Sequence, residues 1–411
     1  MAGEKSQNDE NKIREKDITG LKYFHKLLPV LGRLHQVGCE RDKAGNRKLH
    51  FDQYCALLLL FLFNPVVRSL RALQQASELK KVQRKLGCSR ASLGSLSEAT
   101  EVFEPDRLKE ILTELAERVK RIQNVGKGHL NHILTAVDGS VVKTLSTLAQ
   151  AAYLKNCHGD SKSAWRLHTH FDIDRHVPSR IDVTPGLNSG KTDEKNVLRA
   201  NLQSDHCYVM DRWYAQFTLF NDINAIKSSY VCRLRDNSKY EVIEERPISE
   251  KARKAGVVFD GIVRLGLHSK ADTRPDHPIR LLLIETSPHT ARGKQPGGKT
   301  GPSSDGLLRI ATNLLDVPAE VLGDIYRHRW TVEIFFRFFK HILGCRHLLS
   351  QDPVGIEIQT YMAIIACLLI SLWTGRKPTL RTYEMICYYF SGLADEDELL
   401  AHIAKQKLHA A

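Results

Sequence analysis

Residues 326–340, YRHRWTVEIFFRFFK, constrain this chain more than any other stretch. At about 100° per residue, a helix gathers Tyr326, Arg329, Glu333, Arg337 and Lys340 into an arc of roughly 80°. Val332, Phe335, Phe338, Phe339 and Ile342 take up the rest of the circumference, so most of such a helix has to be buried within protein. A carboxylate between two cations, with a phenol on the same stripe, fits two arrangements. Glu333 pairs with Arg329 and Arg337 at i±4 and forms a salt-bridged edge, or the stripe faces a metal ion and a phosphodiester.

Charge narrows the choice of partner. The 411 residues carry 60 Lys and Arg against 47 Asp and Glu, a formal net charge of +13. That balance favours a polyanion, nucleic acid ahead of an anionic membrane. The longest apolar runs, 56–63 and 363–373, fall short of the ~20 residues needed to cross a bilayer. Residues 1–17 hold no apolar signal core and read as a disordered charged tail. The nine cysteines form no CxxC pair, which argues against a disulfide scaffold and a zinc ribbon. The expectation is a soluble, cytoplasmic chain whose thiols are reduced and mostly fill core space. No P-loop, dinucleotide-binding glycine motif or HExxH is present.

Periodicity divides the chain. Residues 18–125 read as helical, with a basic amphipathic helix over 70–86 that turns Lys80, Lys81, Arg84 and Lys85 outward. Gly87 breaks it, Ser89 or Ser92 caps the next helix, and 92–103 follows. This is either a helix-turn-helix in an N-terminal DNA-binding domain or a plain bundle with a solvated basic face. From 126 to 235 the pattern is strands at 132–142, 165–174 and 180–184, a helix at 192–203, a strand at 207–210, a helix at 215–226 and a strand at 230–234. That order predicts an α/β layer. Residues 236–316 read as a β-rich insertion with a Gly-, Lys- and Ser-rich loop at 289–304. The stripe helix belongs to 317–350, and 351–411 form a helical C-terminal region with helices at 356–372 and 380–407.

Two aspartates follow apolar runs where strands are expected to end: Asp138 after 135–137 and Asp211 after 208–210. Residues just past strand ends in an α/β layer point into the crevice where ligands bind. A carboxylate buried there costs several kcal/mol unless a cation or hydrogen bonds offset it. With Glu333 they make three hard oxygen donors, suited to magnesium or manganese rather than zinc. Separations of 73 and 122 residues mean that only a fold can unite them. Asp172, Asp174 and Glu285 are weaker candidates, explained by a solvated edge or turn. His168 and His170 face one way on a strand and read as polar surface.

At these residues the chain resembles the DDE transposases of the insertion-sequence-4 type. Tyr326, Arg329, Glu333 and Lys340 match that family's Y-R-E-K signature without a gap. Asp138-Gly139 and Asp211-Arg212-x-Tyr214 match its two aspartate contexts. Trp213 departs from the small residue that many members carry there, and the insertion holds no Trp. The resemblance implies an RNase H-like mixed-sheet catalytic domain, interrupted by a β-rich insertion between its fifth strand and the Glu-bearing helix. It implies Asp138, Asp211 and Glu333 as catalytic, metal-binding residues for two magnesium or manganese ions. Tyr326, Arg329 and Lys340 become contacts to DNA phosphates, and Trp330 resembles an aromatic that relatives use near a flipped base. The implied activity is cut-and-paste transposition on double-stranded DNA, by a homodimer that pairs two terminal inverted repeats.

Overall fold

A computed structural model of the chain describes residues 28–37, 40–43, 45–143, 153–155, 161–185, 190–286, 306–344, 348–350 and 352–408. The tail at 1–17 and the loop at 289–304 lie outside these residues. The described chain divides into two units, one from 1–120 with 337–411 and one from 121–336.

Helices α1 (Leu28–Gly32), α2 (Phe51–Phe63), α3 (Leu70–Ser77), α4 (Lys80–Leu86), α5 (Leu93–Val102) and α6 (Asp106–Arg118) open the first unit. The sequence of α2 is apolar on every side, and it is buried along nearly its whole length. The single helix expected over 70–86 is two. Glu78 and Leu79 bond back three residues, to the carbonyls of Gln75 and Ala76, and the Gln83 amide donates to the Ser77 carbonyl at 2.8 Å. With that carbonyl taken by a side chain, Leu79 turns extended and a new helix starts. Gly87 closes α4 in the left-handed region at φ 62°, and Ser92 caps α5 by accepting the Ser95 N–H at 2.9 Å.

The second unit is built on one mixed sheet. Its strands are β1 (Ile133–Lys143), β2 (Tyr153–Lys155), β3 (Ser161–Asp172), β4 (Val177–Pro185), β5 (His206–Met210), β6 (Ser229–Arg233), β7 (Tyr240–Glu245), β8 (Val257–Leu265), β9 (Ile279–Glu285) and β10 (Leu307–Thr312). Their order is β2-β3-β1-β5-β6-β10-β9-β8-β7, with β4 also paired to β3. The pairs β1–β5 and β5–β6 are parallel, whereas β1–β3 and β3–β4 are antiparallel. Helices α7 (Glu194–Ala200) and α8 (Phe217–Ala225) cross between the parallel strands, and α9 (Glu250–Lys254) follows β7. Strand β5 is apolar without alternation because it is buried at all five positions.

The stretch 236–316 joins this same sheet. Unforeseen in the sequence, β10 pairs antiparallel with β6 from Ile310↔Arg233 to Thr312↔Val231, and carries β9, β8 and β7 outward. Arg280 and Asp260 form a bidentate buried pair there, with bonds of 2.7 and 2.6 Å. Arg280 also donates to the carbonyls of Leu315 and Val317, so it ties the strands to the segment that starts the next helix. His168 and His170, expected as polar surface, are 5% and 4% exposed. They lie on the covered face of β3, where His168 bonds Thr184 at 2.8 Å and His170 sets its ring edge-on to Tyr208.

The stripe expected on one helix spans two, α10 (Ala319–His328) and α11 (Trp330–Gly344). Arg329 and Val332 bond back three residues instead of four. The His328 ring donates to the Asp324 carbonyl at 2.9 Å, and the Thr331 hydroxyl donates to the His328 carbonyl at 2.7 Å. These side chains engage carbonyls of the ladder and tighten the turn at Arg329. Val332, Phe335, Phe338, Phe339 and Ile342 are buried, as the periodicity predicts.

Helices α12 (Pro353–Thr374), α13 (Leu380–Ser391) and α14 (Glu396–Leu408) complete the first unit. Gly392, at φ 78°, divides what the sequence suggested as a single helix over 380–407. By length and composition α12, at 22 residues, suffices to cross a membrane, contrary to the reading from its shorter apolar run. It packs against α2, α5 and α6, and 83% of its most apolar stretch is buried inside the protein, as in a core helix.

Candidate active site

The site starts from strand register. Parallel pairing of β1 with β5 ends at Val137↔Met210, and the next residue on each strand is an aspartate. Asp138 is not at a strand end as expected: β1 runs on to Lys143 along β3, with Asp138 opposite Thr169. It leaves the pairing only on its β5 side. Asp211 does end its strand. Its Oδ1 accepts the Trp213 N–H at 2.8 Å, an Asx turn that holds the carboxylate against its own loop. The Asp138 Oδ1 accepts the Gly139 N–H at 2.9 Å.

Arg329 brings the helix stripe to this pair of strands. Its Nη2 donates to Glu333 Oε1 at 2.5 Å, and its Nη1 lies 3.8 Å from Asp138 Oδ2. The i,i+4 pair is therefore present and also faces the first aspartate. Burial works against the charge on Arg329, but Tyr326, Glu333 and Asp138 outweigh it and hold the guanidinium above its ordinary pKa. Burial raises the Tyr326 phenol, against the pull of Arg329 and Arg233. Trp330 is 47% exposed, and Arg337 and Lys340 are exposed.

Burial is the dominant influence on the first aspartate. Burial pushes the Asp138 carboxyl up to about 7; Asp211 and Glu333 push the same way, while Arg329 and the Gly139 N–H pull it down. A carboxylate so placed calls for a cation, and three carboxylates form a donor set that fits a hard divalent ion. As they stand, no three His, Cys, Asp or Glu side chains among the described residues are gathered closely enough to grip one.

Two of the three competing acids have structural partners. Asp172 is paired with Arg175 at 2.6 Å, Asp174 accepts the Val125 N–H at 3.0 Å, and Glu285 ends β9 exposed. Sequence reasoning missed Glu194, which is 7% exposed, paired with Arg166 and hydrogen-bonded by Tyr214. It also missed Lys195, whose ammonium lies 4.7 Å from the centre of the half-exposed Trp213 ring. Gly139, a glycine inside a strand, was the signal available for Glu194.

Residues 130–369 match the family described as Transposase DDE domain, more than half of the chain. The chain belongs to this family of DDE transposases. A Sinorhizobium fredii protein named as a transposase is 26% identical over 209 residues, 50% of this chain and 52% of its own length. A Geobacillus stearothermophilus protein, named as a transposase for insertion sequence element IS5377, is 24% identical over 52% of this chain and 50% of its own. A Synechocystis protein named for insertion sequence element IS4SA is 33% identical over 16% of this chain and 21% of its own. The chain thus spans about half the length of the first two curated relatives. A cryo-EM structure of a piggyBac transposase synaptic complex with hairpin DNA superposes over 94% of this chain and 82% of that one. Its TM-score is 0.42 at 10% identity, too distant to define the fold.

Proposed function

We propose that this chain is a DNA transposase that binds the terminal inverted repeats of an insertion sequence and carries out cleavage and strand transfer on them. The observation that carries the reading is Arg329, which links Glu333 of the helix stripe to Asp138 beside the β1–β5 junction. The order β4-β3-β1-β5-β6, antiparallel then parallel, supports an RNase H-like core, and membership of the DDE family supports the chemistry.

In this reading Asp138, Asp211 and Glu333 hold two magnesium or manganese ions. When bound, such ions activate the attacking oxygen and stabilise the leaving oxygen of a phosphodiester. The protein's own groups orient the strand. Arg329 offers planar donors to a phosphate once a cation takes over its carboxylates, and Tyr326 donates its phenol on the same side. Trp330, exposed beside Arg329, offers a ring face to a base, and Lys340 neutralises a phosphate further along the duplex. A net charge of +13 draws the polyanion in. The working form is a homodimer that pairs two ends, acting on DNA in the bacterial cytoplasm.

The test is incubation of the purified chain with its own element's end DNA and magnesium or manganese. Divalent-dependent nicking at the transposon end, followed by joining of the 3′-hydroxyl to target DNA, supports the reading. Cleavage without joined products makes the chain a nuclease that only cuts, and no cleavage at all overturns the proposal.

A further inference from the structure

Glu194 opens α7, and three segments close on its buried carboxylate. Arg166 of β3 pairs with it, and the Tyr214 hydroxyl donates to it. Gly139 lies so near that a Cβ there would stand 2.5 Å from the Glu194 carboxyl carbon and 2.6 Å from its Oε1. Gly139 has an ordinary strand backbone, so a Cβ here would act only by pushing on the end of the Glu194 side chain, which Arg166 and Tyr214 hold.

The identity of these neighbours gives the contact its meaning. Gly139 follows Asp138 directly, and Tyr214 stands three residues after Asp211, 1% exposed. One carboxylate therefore touches the backbone after the first aspartate and the ring that roots the turn after the second. Burying a fourth acid beside Asp138 and Asp211 opposes stability unless it is fully paired. Arg166 and Tyr214 supply that pairing and hold the Glu194 carboxylate against Gly139. We propose that Glu194 is a positioning residue that fixes the spacing of Asp138 and Asp211 for a divalent ion. The inference rests on the reading that these aspartates bind metal. The plainer alternative is that Glu194 only anchors the first turn of α7 to the sheet.

Calorimetric titration of the full chain with Mn²⁺ alone, without DNA, separates the two, with thermal denaturation in chelator run alongside. Glu194→Gln keeps an acceptor for Tyr214 and loses the charge pair with Arg166. Its Mn²⁺ affinity should fall by roughly 10–100-fold, the range for groups that orient metal ligands. Gly139→Ala should do the same by displacing the carboxylate. Adding Glu194→Ala to Gly139→Ala removes the close contact but leaves Arg166 without its buried partner, so Mn²⁺ affinity should stay low. Wild-type affinity in both single variants, whatever their midpoints, overturns the inference and leaves Glu194 as a helix anchor. A wild-type chain that takes up no Mn²⁺ overturns the metal reading itself, and this inference with it.

Discussion

Val137 and Met210 are the last register partners of the parallel pair β1–β5, and each is followed by an aspartate. Strand register thus brings Asp138 and Asp211 to neighbouring positions, although 73 residues of chain separate them. A one-residue slip would turn one of them to the opposite face of the sheet.

Asp138→Asn, Asp211→Asn and Glu333→Gln each remove a charge and keep the shape. Cleavage of end DNA should drop to background in all three, while mobility-shift binding of the same DNA stays near wild type. Loss of binding in every variant would assign these acids a structural role instead.

Lys340→Ala should weaken binding to DNA ends of any sequence. The slope of log K against log salt should become shallower by about 0.9, the share of a single phosphate that is no longer neutralised. A slope equal to wild type would remove Lys340 from the DNA interface.

Acid should destabilise the unit that carries the sheet. Burial lowers both His168 and His170 from the ordinary histidine range to about 4. Between the unfolded value near 6.5 and about 4, the unfolded chain binds more protons than the folded one, so stability falls as pH falls through that window. Each histidine contributes a slope of about 1.4 kcal/mol per pH unit there. Chemical denaturation at pH 7 and pH 5 measures it, and His170→Gln should flatten the difference by one proton's share.

Arg280→Met should destabilise the β8–β9 region strongly. It strands Asp260 at 5% exposure and frees the carbonyls of Leu315 and Val317. Removing one partner of such a buried pair costs about 3–5 kcal/mol. The double replacement Asp260→Leu with Arg280→Met should recover part of that in urea denaturation. Equal loss in single and double variants would show that the backbone bonds, not the ion pair, dominate.

The legible parts of this chain were those with local signals. Alternating and continuous apolar runs marked β1, β3, β5 and β6, and the aromatic stripe marked the burial of Phe335, Phe338 and Phe339. What failed depended on partners remote in sequence. Glu194 gains its meaning from Gly139 and Arg166, His168 and His170 from the layer that covers β3, and β10 from an edge of β6 that no local pattern displays. Helix breaks at Arg329 and Leu79 were hidden for a different reason. Both arise where side chains take backbone carbonyls, at positions without Gly or Pro to announce them.

The junction of β6 with β10 has a consequence during synthesis. Until residue 312 has been made, β6 keeps an open hydrogen-bonding edge, and a chain stopped near 236 would display it permanently. Closing that edge means joining residues some 80 positions apart, which makes assembly slow and leaves nascent or truncated chains prone to pair with one another. Fragments cut at the end of β6 should therefore precipitate, and a soluble catalytic piece has to extend through β10.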